Sequence, residues 1–149
     1  MTREVISHFL FLSERILGPL ELVWAEPEYP AQGNFCETHV AARLENGAGL
    51  PVTIMGSVGG AQPDRQEVTI KGSKTSRRIS EFVIDTVSSG GRFEPSSSDP
   101  TDTRATGFQA QLYDFVLLMN GKPNRIATIE EELRVQILIE GILSGKRAN

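Results

Sequence analysis

Along the first third of the chain the apolar period changes once. Val5, Phe9, Leu12 and Ile16 recur at helical spacing, which predicts a helix over 3–17. Gly18-Pro19 ends it, because glycine accepts the terminal turn and proline cannot continue it. From Leu20 the period becomes two. Leu20, Leu22 and Trp24 fall on one face of a strand. In THVAARL, Thr38, Val40, Ala42 and Leu44 share one face, and His39, Ala41 and Arg43 the other. Glu45-Asn46-Gly47 is a hairpin turn, and Val52 and Ile54 continue the alternation beyond it. QEVTIKG points Val68 and Ile70 inward, Gly72-Ser73-Lys74 turns the chain, and RRISEFVI supplies a further strand. Short connections without crossover helices imply an antiparallel meander.

Residues 88–106, SSGGRFEPSSSDPTDTRAT, are rich in Ser, Gly, Pro and Asp and read as a long, partly mobile loop. The helical period then returns. Phe108, Leu112, Phe115 and Met119 mark the apolar face of one helix, ended by Asn120-Gly121 with Pro123 beyond. Thr128 starts another as its N-cap, with Glu131 completing a capping box. Its apolar stripe runs through Leu133, Ile137 and Gly141, or through Leu138 and Ile142. Lys146 and Arg147 stand where the helix dipole favours positive charge. Helix, strands, helix, helix is an α+β order: a largely antiparallel open sheet with helices packed on one face. No internal repeat occurs, and residues 1–149 read as a single domain.

Composition narrows the function. A chain of 149 residues can bury roughly 70% of its unfolded surface as one domain. A net charge of -4 and a pI near 5.2 argue against nucleic-acid and membrane-surface partners. The nearest thing to a basic patch is Arg77-Arg78. The single cysteine, Cys36, excludes an internal disulfide and, with no secretory pattern at the start, points to the cytoplasm. No apolar run reaches membrane-spanning length.

Familiar chemical signatures are missing. No G-x-G-x-x-G or G-x-x-x-x-G-K-[ST] occurs, and GSVGG at 56–60 leads into a loop and another strand rather than a helix. There is no metal-ligand spacing and no G-x-S-x-G. What remains is Glu4 and His8, four residues apart and so on one helix face. An imidazole ordinarily titrates near neutrality and suits proton transfer to or from a hydroxyl. The plainer reading is a surface pair worth a few tenths of a kcal/mol. Among the other candidates, His39 reads as a solvated or interface residue and Arg77 and Arg78 as opposite sides of one strand. Trp24 reads as a sheet anchor and Tyr113 as a packing residue.

Three stretches carry a family likeness: EVISHFLFLSERILGP with Glu4, His8 and Gly18; QEVTIKGSKTSRRIS; and GFQAQLYDFVLLMNGKPNRIATIEEELRVQILIEGILSG with Asp114, Asn120-Gly121-Lys122-Pro123 and Thr128. Together they resemble the C-terminal domain of the Gfo/Idh/MocA oxidoreductases. Glu4 stands where that family has aspartate, Ile6 where glycine is common, and Thr75 where it has a second turn glycine. The resemblance implies a substrate-binding and oligomerisation domain without the Rossmann domain that binds NAD or NADP, as in a truncated product, a fragment or an orphan domain. The substrate implied is a sugar, polyol or related hydroxy compound. His8, helped by Glu4, is implied as the catalytic group. No cofactor or metal is expected on this chain, no dehydrogenase activity is expected from it alone, and a homo-oligomer is implied through the open sheet face. That face would carry His39, Ala41, Arg43, Thr53 and Met55. The alternative is a non-enzymatic α+β binding or assembly module.

Overall fold

The computed structural model describes residues 1–32, 35–96 and 103–145. These form an α+β fold with two antiparallel sheets, in two compact units. Unit one comprises Met1–Ala61 and Ala127–Asn149, and unit two Gln62–Ile126.

Unit one opens with a π-helical turn, Thr2–Ile6, in which the Ser7 N–H donates to the Thr2 carbonyl. It runs directly into α1, Ser7–Leu17. Thr2, Ile6, Leu10 and Glu14 are the buried positions, one every fourth residue. The stripe Val5-Phe9-Leu12-Ile16 expected to be buried is thus set aside from the true one, and Ile16 is exposed. Two polar residues at the ends of the buried row, Thr2 and Glu14, hide it from a hydrophobic count.

Strands β1 (Leu20–Glu28), β2 (His39–Asn46) and β3 (Pro51–Ser57) form an antiparallel sheet in that order. Val40, Ala42 and Leu44 face the core, as the alternation requires. In β1 the register shifts between Leu22 and Trp24, so Leu22 opposes Leu44 while Trp24 opposes Arg43. Val23 is the extra residue of this bulge, and it reverses the alternation behind it. Ala25 therefore faces the core, and Trp24 lies on the opposite face from Leu20 and Leu22, not with them as the uninterrupted period predicts.

Helix α3, Ile129–Ser144, packs on β1 and beside α1. The Thr128–Glu131 capping box is complete: each side chain bonds the other residue's backbone N–H. Val135, Leu138, Ile139 and Ile142 are buried, while Leu133 and Ile137 are exposed, which decides between the two expected stripes. A Cβ on Gly141 would lie 3.0 Å from Leu22 Cδ2, so the glycine permits close helix–sheet approach. Lys146 and Arg147 lie outside the described residues.

Unit two contains β4 (Glu67–Lys71), β5 (Ser76–Ser80), β6 (Ile84–Ser88) and the short β7 (Glu94–Pro95) in sequential antiparallel order, followed by α2, Thr103–Met119. At Gly72 a Cβ would meet the Thr75 carbonyl oxygen at 2.5 Å, so this hairpin demands glycine. RRISEFVI is not one strand. It is a hairpin whose Glu81 and Phe82 adopt φ of 50° and 61°. No turn residue announces it. Glu81 is instead tied to Gln66, whose carbonyl accepts from the Glu81 N–H at 2.9 Å and whose N–H donates to the Glu81 carboxylate at 3.2 Å. The expected loop 88–106 holds β7, and α2 begins at Thr103; 97–102 lie outside the described residues. Asn120-Gly121 ends α2 as expected. The Lys122 N–H reaches the Leu117 carbonyl, and the Gly121 N–H that of Leu118.

Candidate functional site

Period and burial together fix the face that α1 presents to solvent. With Ile6 and Leu10 buried, Glu4, His8 and Arg15 fall on the opposite, exposed side, while Phe11 packs partly buried against the core. Glu4 lies in the π-helical turn and His8 in the first turn of α1, and both are exposed. Ile6, at the position where a side chain would crowd a ligand, is buried in the core instead. The Arg15 guanidinium sits over the Phe11 ring, 5.0 Å from its centroid.

This helix is fixed along its whole length. Arg3 makes a bidentate pair with Glu140, both Nη2 contacts at 2.8 Å, and that hydrogen bond raises the Arg3 pKa further. Buried Glu14 accepts from the Leu20 N–H at 3.1 Å and from Arg134 Nε at 3.2 Å. Arg15 donates to Glu131 at 2.8 Å and lowers that carboxyl's pKa. At the start of the helix, buried Glu37 accepts from the Thr2 N–H and lies 3.2 Å from the terminal ammonium. Burial would raise the Glu37 pKa, but the Thr2 backbone bond, followed by the Thr2 hydroxyl, Glu37's own backbone N–H and lastly the ammonium, outweighs it and holds it at about 2. Pattern reading found none of Glu14, Glu37 or Glu140. A buried carboxylate has no periodic signal; only its partners distant in sequence reveal it.

The remaining candidates are placed elsewhere. His39 is half-buried on β2, opposite Glu28 and Ser57. It shares the outer face of the sheet with Ala41, Arg43, Thr53 and Met55, as expected, and with Trp24. Met55 is 77% exposed there. Arg77 and Arg78 do point to opposite sides of β5. Arg77 pairs with Asp85, while Arg78 lies 3.4 Å from Glu67 and stacks on Phe93 at 3.9 Å. Tyr113, expected to pack, is exposed on α2. Beside it Asp114 is buried, accepting from the Arg125 N–H at 3.2 Å and from Arg125 Nε at 2.9 Å. Among the described residues no group of His, Cys, Asp and Glu could hold a metal, and no helix is long and apolar enough to cross a membrane. GSVGG occupies the end of β3 and the connection to β4, so no helix N-terminus follows it to hold a pyrophosphate.

The fold is shared with part of several solved dehydrogenase and reductase structures. Neither a family model nor a curated protein matches the sequence. Among solved structures, the dehydrogenase MviM of Clostridium difficile superposes with a TM-score of 0.72 at 14% identity, over 93% of this chain and 46% of that one. KijD10, a 3-ketoreductase of Actinomadura kijaniata solved with NADP and TDP-benzene, gives 0.70 at 14% identity, over 98% and 46%. The WlbA dehydrogenase of Bordetella pertussis, solved with NADH and UDP-GlcNAcA, gives 0.63 at 19% identity, over 92% and 42%. The chain thus spans less than half the length of each of these proteins.

Proposed function

We propose that this chain is the C-terminal, substrate-binding and oligomerisation domain of a Gfo/Idh/MocA-type NAD(P)-dependent oxidoreductase. Its substrate is a sugar, polyol or related hydroxy compound. The observation that carries this reading is the fold shared over more than nine-tenths of the chain with MviM, WlbA and KijD10. The UDP-GlcNAcA bound to WlbA supports a sugar-type substrate. Exposed Glu4 and His8 on one anchored helix face supply the reactive groups.

In this reading the His8 imidazole takes the proton of a substrate hydroxyl during oxidation and returns it to the carbonyl oxygen during reduction. Glu4, one turn earlier, orients the imidazole. The described residues do not fit a dinucleotide, since among them no glycine loop opens a helix. Hydride transfer belongs to a complementary cofactor domain, and this chain alone carries no dehydrogenase activity. The outer sheet face around Ala41, Met55 and Trp24 forms the homo-oligomer contact, mixing small, apolar and polar groups as interfaces do.

Calorimetric titration tests the proposal. A panel of sugars, polyols and nucleotide sugars gives saturable heat for one class, weakened at least about tenfold by His8→Ala, and NADH gives none. Saturable NADH binding at micromolar concentration, or sugar binding indifferent to His8→Ala, overturns it.

A further inference from the structure

Unit two buries no large apolar side chain among the described residues, and much of its open apolar surface lies on α2. Phe108, Leu112, Phe115 and Met119 follow one another at offsets of four, three and four. That spacing puts the four on one face of the helix, a stripe on which another helix can pack. Val116 flanks them, and all five are between 49% and 72% exposed. The one charged residue between Phe108 and Met119 is Asp114, on the far side of the helix and held by Arg125.

We propose that a second copy of this chain covers the seam, α2 against α2 about a two-fold axis. Area favours it. The five residues leave on the order of 600 Å² open, at the top of the ~300–600 Å² range for the largest patch of an ordinary monomer. Two copies together would remove up to about 1,200 Å², the lower end of the range of stable interfaces. Charge favours it too. A seam without charged residues does not repel its own copy, and it offers no ionic flank to select a different partner. Shape completes the argument. In an antiparallel pair centred near Leu112, Phe108 of each copy meets Phe115 of the other, and large Met119 meets small Ala105. The same patch serves both copies, so this contact by itself closes on a dimer. It does not depend on the oxidoreductase reading.

Sedimentation velocity and cross-linking of the full chain test it. The chain sediments as a dimer or larger species at about 100 μM, and Leu112→Lys with Phe115→Glu halves that mass without changing the circular dichroism. In a Cys36→Ser background, Leu112→Cys is joined to its counterpart by a short bismaleimide, and adding Met55→Glu on the sheet leaves that cross-link in place. A monomeric chain at that concentration overturns the proposal, as does an unchanged mass in the double variant. So does failure of the cross-link, or its loss on Met55→Glu. Should the double variant not fold, the cross-link alone decides.

Discussion

All eleven buried apolar side chains among the described residues lie in unit one, from Ile6 and Leu10 through Val40, Ala42 and Leu44 to Ile142. Unit two has a four-stranded sheet and a long helix, yet the residues it buries are Ser88 and Asp114, both polar. Its strand β4 is half-buried from Glu67 to Ile70, and its helix shows the solvent seven large apolar side chains. Backbone ladders alone contribute little net stability, because water competes for the same groups. Burial of apolar surface supplies the main driving force. The stability of the chain therefore resides in unit one, which also carries the anchored helix with Glu4 and His8. Unit two is held by hydrogen bonds and ion pairs and gains most from being covered.

The sharpest way to break this comparison is one core truncation in each unit. Leu44→Ala removes a fully buried side chain from unit one and is expected to cost about 2–5 kcal/mol. Ile79→Ala, half-buried on β5, is expected to cost less than about 1.5 kcal/mol. Urea denaturation of both variants measures the difference; equal losses would contradict the contrast.

Acid is expected to act next most strongly, and through unit one. The folded Glu37 pKa of about 2 lies below its ordinary value of 4.5, so its contribution is complete above pH 4.5 and is lost as pH falls from there towards 2. The contribution amounts to at most about 3 kcal/mol. Stability curves between pH 6 and 2.5 should flatten in Glu37→Gln, which has no carboxylate to protonate.

Helix ends give smaller effects. Thr128→Ala removes the cap of α3 and is expected to lower stability by about 1 kcal/mol in thermal melts. Arg77→Ala breaks a pair on unit two whose arginine is largely exposed, and is expected to shift stability by under about 1 kcal/mol, less in high salt. A larger loss there would show that ionic ties carry more of unit two than its exposure implies.

What could be read from the sequence was local. The α3 cap, the Asn46-Gly47 turn and the alternation of β2 each depend on a few adjacent residues, and each stands in the structure. The outer-face set of His39, Ala41, Arg43, Thr53 and Met55 follows from the same alternation. The Val23 bulge was hidden because an apolar extra residue in an apolar strand leaves no mark. The hairpin at Glu81-Phe82 was hidden because its left-handed residues are neither glycine nor asparagine. The α1 stripe was misplaced because Thr2 and Glu14 are buried through partners far along the chain: Glu37 beside Thr2, and Arg134 on Glu14. Of the candidate site, Glu4 and His8 were legible as a spacing. The carboxylates that anchor their helix were not.

The most direct measurement is a backbone NMR titration of the chain with the hydroxy compound that binds best. The account expects shift changes centred on Glu4, His8 and Phe11, fading with distance from α1. Perturbations centred elsewhere, or none from any sugar or polyol at tens of millimolar, would contradict it.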